Sequence, residues 1–315
     1  MVLQLTPDIL TLSEKKLIAF QIKPILLQEL DKEIKLLKDW LNDPQQYPIK
    51  EHSCIGNKIV DYFTFGQRLE TKGKYNVNYF EFIQNKEYFS QKKFIQTMVT
   101  YYEEYKNKQK KKNSYLVWKE IYNICISAIN IIRPLVYMKI YMKYKPTCIL
   151  DFCAGWGGAM VGASFCNIPK YIGIEINKSL EPCYQELETF LISKKVLKPE
   201  ITEISMKFED ALTVDYSQLN YDFVFTSPPY YFIQKYKDNA LYNNSKQEMD
   251  EQFYIPLFSK TFLHLKQGGT YILNINQEIY NRVCIPLLGE AQDSFFYQKR
   301  KRQNNYQEKS YVWIK

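Results

Sequence analysis

The sequence predicts an α/β fold, a mostly parallel sheet covered on both faces, preceded by a mainly helical region. Three observations carry this. Beyond about residue 145, short apolar runs alternate with longer amphipathic stretches. A glycine-rich turn joins the first of those runs to the stretch that follows it. Before residue 145 the apolar residues recur at helical rather than strand spacing.

Ser13 is placed to cap a helix running toward Trp40, with a break at Pro24. Leu26, Leu27, Leu30, Ile34, Leu37 and Leu41 keep helical spacing, and Asn42-Asp43-Pro44 ends the run. Residues 44–80 read as irregular or mixed, with Gly56, Gly66 and Gly73 as turns. A second helix is expected over 86–107, using Phe94, Ile95, Met98, Val99, Tyr102 and Tyr105. The lysine-rich run 106–112 reads as a solvated helix end or linker. A third helical stretch covers 114 to about 144, broken or kinked near Pro134.

The alternating half starts with a strand at 147–152 and a helix at 158–166. A strand at 171–176, a helix at 178–195 and strands at 204–208 and 221–225 follow. A helix at 250–265 ends at Gly268-Gly269, before a strand at 270–275. The last segment reads as an antiparallel hairpin, 295–302 and 310–315, turning at Asn304-Asn305. The expected division is a helical accessory or target-recognition region over 1–113 and an α/β domain over 114–315.

Composition bounds the function. With 315 residues and 46% hydrophobic content the chain can bury a sizeable core, which argues against wholesale disorder. Its 42 basic and 34 acidic residues give a net charge of +8, which suits a polyanionic partner. Abundant Tyr (27) and Phe (19), alongside much Lys, Asn and Ile, read as the coding bias of an AT-rich genome, not as a set of stacking platforms. Seven cysteines without a CxxC pair, and His52 far from His264, leave no zinc spacing and imply free thiols in a reducing compartment. Cys153 reads as a small packing residue. The first residues make a poor signal peptide, and no uncharged apolar run approaches the ~20 residues of a membrane span, so the expectation is a soluble, intracellular protein without metal.

The strongest motif is Asp151-Phe-Cys-Ala-Gly155-Trp-Gly157-Gly158, directly after a predicted strand and before a predicted helix. Glycines there let the chain turn sharply and let a ligand approach the main chain, and the helix start offers free N–H groups. Glu175, at the end of the second strand, is placed to accept hydrogen bonds from two ribose hydroxyls. An acid at position 151 suits a cationic ligand, such as the aminoacyl end of S-adenosylmethionine, better than a pyrophosphate. Asp210, in Phe208-Glu-Asp-Ala-Leu212, is placed either to meet an adenine amino group or to be the N-cap of a helix.

The fourth strand ends in Thr226-Ser227-Pro228-Pro229-Tyr230. The two prolines remove N–H donors and fix φ, leaving a stiff loop that presents carbonyls. An exocyclic amine needs such acceptors, because its lone pair is delocalised into the ring. The Ser227 hydroxyl and the Pro228 carbonyl would draw it toward a nucleophilic, tetrahedral geometry by positioning and electrostatics. Tyr230 can stack on a base rotated into the pocket. Taken alone, Ser-Pro-Pro-Tyr reads by default as a rigid surface turn or a polyproline-type ligand segment; its place in an α/β sheet that carries the glycine loop favours chemistry.

With these two motifs in this order, residues 130–315 resemble the S-adenosylmethionine-dependent amino-methyltransferases that act on N4 of cytosine or N6 of adenine in DNA. The phrase Cys-Ala-Gly-Trp-Gly-Gly-Ala, followed by Tyr-Ile-Gly-Ile-Glu-Ile-Asn, resembles phage- and large-virus-type members. The resemblance implies a Rossmann-like class I methyltransferase fold with a seven-stranded sheet. It implies cofactor contacts from Asp151, Ala154, Gly155, Trp156, Gly157, Gly158, Glu175, Asp210 and Ala211, and a catalytic loop of Ser227, Pro228, Pro229 and Tyr230. Where such members often carry Arg after the paired glycines, this chain has Ala159. Ser at 227 leans toward cytosine N4 without excluding adenine N6.

Aromatics interleaved with lysines follow the loop: Tyr230, Tyr231, Phe232, Lys235, Tyr236 and Lys237 suit a base pocket beside a phosphate track. Lys299, Arg300, Lys301 and Arg302 form a second basic cluster, which is also the signature of a charged sheet edge. By elimination, the helical first third is assigned to target recognition or homodimerisation. RNA or a protein side-chain amide is the alternative substrate, and an inactive binding subunit the alternative class.

Overall fold

In a computed structural model the described residues are 8–50, 53–73, 75–231, 245–296 and 308–315. The helices before the sheet are α1 (Leu12–Ile22), α2 (Leu27–Asn42), α3 (Asn57–Glu70), α4 (Tyr79–Gln84), α5 (Lys86–Ser90), α6 (Lys93–Tyr101), α7 (Ser114–Cys125) and α8 (Pro134–Tyr144). The chain forms two compact units, one holding Thr64–Asn130 with the described residues up to Leu27, the other Gln28–Phe63, Ile131–Tyr231 and the described residues from 245 on. These lines fall elsewhere than a single boundary at 113/114: residues 28–63 group with the sheet and 114–130 with the helical unit.

The small unit is built on aromatic packing. Phe80, Phe82, Ile121 and Tyr122 are almost completely buried, with Phe82 against Trp118 at a ring separation of 5.7 Å. The buried tyrosines satisfy their hydroxyls on the backbone: Tyr79 donates to the Tyr115 carbonyl and Tyr122 to the Val77 carbonyl, each at 2.8 Å.

Several local expectations are corrected. The cap of α1 is Thr11, not Ser13; its side chain accepts from Glu14 N–H while Glu14 accepts from Thr11 N–H, a reciprocal capping box. The buried face of α2 is Leu30, Ile34, Leu37 and Trp40, whereas Leu26 and Leu27 are exposed. The expected irregular stretch contains the 14-residue helix α3, with Gly66 inside it. The single helix expected over 86–107 is α5 and α6 separated at Gln91-Lys92, followed by a π-helical turn over Tyr102–Lys106. Pro134 does not kink a long helix; it opens α8 at a position where its missing N–H costs no bond.

The sheet of the larger unit alternates β1 (Cys148–Asp151), α9 (Gly158–Phe165), β2 (Lys170–Ile174), α10 (Glu181–Ser193), β3 (Glu203–Lys207) and β4 (Phe223–Thr226). Then come α11 (Lys246–Met249), α12 (Ile255–Leu263), β5 (Thr270–Asn276), β6 (Asp293–Phe295) and β7 (Glu308–Ile314). The seven strands lie in the order β3-β2-β1-β4-β5-β7-β6. β1 to β5 are parallel, and β7 runs antiparallel to both β5 and β6. Residues of β1 and β4 are all buried, as expected of parallel strands covered on both faces. β7 pairs antiparallel with β6, Phe295 opposite Ser310; β6 lies earlier than the strand expected over 295–302, and residues 297–302 of that expectation and its turn at Asn304-Asn305 lie outside the described residues. The direction of progression reverses between β1 and β4, and a ligand crevice belongs at the carboxyl ends of the strands at such a switch point.

Candidate active site

The carboxyl ends of β1 and β4 carry the two motifs. These strands are neighbours, with Ile149 opposite Phe223 and Leu150 opposite Val224, so sheet pairing brings together loops some seventy residues apart in sequence.

Three anchors hold the glycine loop. Ala154 N–H donates to the Ile174 carbonyl at 2.9 Å, tying the loop to the end of β2. Glu175, almost fully buried, accepts from Gly155 N–H at 2.8 Å and from Asn177 N–H at 2.9 Å. The Tyr184 hydroxyl, reaching in from α10, donates toward the carbonyls of Ala154 and Gly155 at 3.1 and 3.2 Å. Gly157 caps α9 with φ +88°, and a Cβ there would meet Leu187 at 2.9 Å, so both backbone angle and packing require glycine. Ala154, Trp156 and Gly158 are buried in the loop.

Asp151 is completely enclosed. Its carboxylate accepts from Cys153 N–H and from the Tyr171 hydroxyl, each at 3.4 Å, and burial pushes its pKa up to about 6. Asp151 thus faces the loop's own backbone, where it holds Cys153 N–H. Burial likewise raises Glu175 to about 7, against the opposing effect of the Asn177, Gly155 and Ile176 N–H donors. Each Glu175 oxygen keeps a lone pair beyond the N–H it accepts from, which is what a ribose diol needs.

Asp210 caps the turn after β3, accepting from Leu212 N–H at 2.9 Å through Oδ1. It caps a turn, not the helix expected as one of its two roles. Ala211 is buried, and its carbonyl accepts from the Tyr216 hydroxyl at 2.7 Å.

At the end of β4 the loop is organised by Asn274 of β5, a residue that belongs to neither motif. The Asn274 carbonyl lies 3.3 Å from Ser227 Oγ and 3.0 Å from the Tyr230 hydroxyl, and its Nδ2 donates to the same two oxygens at 3.2 and 2.9 Å. Tyr254 donates to the Pro229 carbonyl at 2.6 Å. Tyr230 is half-buried with its hydroxyl pinned, so its ring is held at a fixed angle. Ser227 Oγ, with its hydrogen committed, retains an acceptor lone pair.

Tyr231 is corrected from a nucleic-acid contact to a packing residue. It is buried, hydrogen-bonds Asp250 and meets Tyr254 edge-on at 5.4 Å; Asp250 in turn accepts from Arg282 at 2.6 and 2.9 Å. Lys235, Tyr236, Lys237, Lys299, Arg300, Lys301 and Arg302 lie outside the described residues. All seven cysteines are free thiols. Among the described residues no cluster of His, Cys, Asp or Glu could hold a metal, and no helix is long and apolar enough to cross a membrane.

The sheet order, the glycine loop at the switch point and a family match together define a Rossmann-like S-adenosylmethionine-dependent methyltransferase domain, whose cofactor is S-adenosyl-L-methionine. The match, over residues 146–273, is to the model of RNA cap guanine-N2 methyltransferase and spans both loops. No curated protein matches the sequence. Solved structures similar to the chain include a SAM-dependent O-methyltransferase from Thermotoga maritima, at 15% identity and TM-score 0.39 over 60% of this chain and 67% of that one. TrmN from Thermus thermophilus gives 14% and 0.37 over 57% and 48%, and an rRNA methylase from Streptococcus thermophilus 11% and 0.37 over 58% and 97%. The chain spans about half the length of several of the solved chains it matches.

Proposed function

We propose that the protein transfers a methyl group from S-adenosylmethionine to an exocyclic amino nitrogen of a nucleic-acid base. The observation that carries this is the Ser227–Tyr230 loop at the end of β4, beside the glycine loop of β1.

The residues present fit the cofactor. Nothing stands nearer than 3.8 Å to the place of a Cβ on Gly155, so the backbone there is open to close approach. Glu175 supplies acceptors for a diol. S-adenosylmethionine supplies an electrophilic methyl group.

The chain's own part is orientation. Pro228 lies in a loop whose conformation is fixed by two prolines, by Tyr254 on the Pro229 carbonyl and by Asn274 on both flanking side chains. Its carbonyl and the remaining lone pair of Ser227 Oγ are the acceptors for the two amine hydrogens. Holding them frees the nitrogen lone pair from conjugation as the bond to carbon forms. The Tyr230 ring, half exposed, provides the face on which the base stacks, a contact worth ~1–3 kcal/mol.

The family match favours guanine N2 in RNA as the target. The serine at 227 favours cytosine N4 in DNA, the second reading. Both are ring-attached amines, and both polymers suit a net charge of +8. The deciding experiment incubates the protein with isotopically labelled S-adenosylmethionine and, separately, unmethylated DNA and unmethylated RNA, then digests to nucleosides for mass spectrometry. Labelled N2-methylguanosine, N4-methylcytosine or N6-methyladenine identifies base and polymer. Label in a ring-carbon or ribose position, or in protein, overturns the reading.

A further inference from the structure

A second cleft opens in the larger unit, away from the carboxyl ends of the strands. It has a volume of about 740 Å³ and is bordered by the segments 145–146, 166–169 and 195–198, with Lys38, Leu41 and Asn42 of α2. The first two segments lead directly into β1 and β2. The cleft is therefore at the amino ends of the strands, on the opposite edge of the sheet from the two motif loops.

Its chemistry is one-sided. Lys38, Lys145, Lys195 and Lys198 all line it, and no Asp or Glu does. None of the four makes an ion pair among the described residues. The nearest pair is Lys194 with Asp31 at 2.7 Å, and it leaves the Lys194 carbonyl to accept from Lys38 Nζ at 3.0 Å. The Lys38 pKa is lowered, first by burial and then by Lys198 and Lys195, so these ammonium groups feel one another. Beneath the lysines the wall is apolar and well packed, with Phe165, Ile168 and Val196 buried. Like charges gathered around a hollow without carboxylates are relieved when an anion enters.

We propose that this cleft binds a nucleoside phosphate, its base against the apolar wall and its phosphate among Lys38, Lys145, Lys195 and Lys198. A volume of this size holds one such unit. The unit can be a free nucleotide or one nucleotide of a strand. The site is separate from the methyl-transfer site and stands whether or not that reading holds.

The test is calorimetric titration of the full chain, saturated with S-adenosylhomocysteine, with UMP, GMP, uridine and a short oligouridylate. Saturation removes binding at the cofactor loop from the signal. UMP or GMP is expected to bind and uridine not, with affinity falling as salt rises. Lys195→Gln/Lys198→Gln should weaken the nucleotides roughly tenfold or more, because charge-assisted hydrogen bonds are lost. Lys195→Arg/Lys198→Arg should retain most of the affinity, and S-adenosylhomocysteine affinity should be unchanged in both variants. Oligouridylate binding that is sensitive to the Gln variant while UMP binding is weak supports the same chemistry with a strand as its source. Equal binding of uridine and UMP, no binding of any nucleotide or strand, or binding indifferent to the Gln variant overturns the proposal.

Discussion

At the scale of single residues, Asn274 carries the Ser227–Tyr230 loop to which methyl transfer is assigned in the proposal. Its backbone and side chain together engage Ser227 and Tyr230, so removing the amide frees the stacking ring without touching the cofactor loop. Asn274→Ala and Tyr230→Ala are each expected to lower kcat by roughly 10²-fold, the scale of a small misplacement at a reacting centre, while S-adenosylhomocysteine affinity by calorimetry stays at the wild-type value. Loss of cofactor affinity in Tyr230→Ala would refute the assignment of that side chain to the base. Glu175 gives a second residue-scale expectation. Its carboxyl is held near pH 7 by burial, and a diol hydrogen-bonds best to the ionised form. Cofactor-product affinity should therefore rise roughly tenfold from pH 6 to pH 8, and Glu175→Gln should flatten that rise.

At the scale of elements, the β1–α9 turn is fixed by contacts from β2 and α10 as much as by its glycines. Gly157→Ala places a methyl 2.9 Å from Leu187 at φ +88°, and should cost about 1–3 kcal/mol by chemical denaturation together with measurable cofactor affinity. Tyr184→Phe removes only the hydroxyl that reaches the Ala154 and Gly155 carbonyls; a loss of about 1 kcal/mol is expected. The helix that sequence reading passed over shows where periodicity fails. α3 is rich in aromatic and β-branched residues and contains Gly66, all weak helix signals. Its buried residues, such as Ile59, Val60 and Leu69, reward the helical form through packing.

For the whole molecule, two enclosed carboxyls set a pH trend. Asp151 and Glu175 have folded-state values raised to about 6 and about 7 from 3.8 and 4.5. The folded chain thus keeps these protons to higher pH than the unfolded chain does. Their contribution to stability is fully present below the unfolded values and is lost as pH rises through about 6 and 7. Denaturation midpoints of the ligand-free protein should carry a component that falls between about pH 4 and about pH 7, on the order of a few kcal/mol. Asp151→Asn and Glu175→Gln should each flatten part of it. An unchanged slope in both variants would show that neither carboxyl titrates there. The net charge of +8 belongs to the same scale: binding of a nucleic-acid strand should weaken steeply between roughly 50 and 200 mM salt in a filter-binding or anisotropy titration.

By itself the sequence determined the alternation of strands and helices beyond residue 145, the parallel sheet and the two motif loops, because period, turn residues and proline placement are local properties. That Tyr171, Tyr184, Tyr221 and Tyr271 are core residues was visible only in the fold, where all four are buried. Tertiary structure alone decided which side chains hold those loops. Asn274, Tyr184 and Tyr254 come from other elements, and their meeting depends on strand order and register. It decided that Asp151 is sealed beneath its loop and that Tyr231 packs inward, since burial is a property of neighbours and not of motif position. It decided too that four lysines scattered from residue 38 to residue 198 line one cleft, because the charge on each is visible in the sequence but their convergence requires the folded sheet.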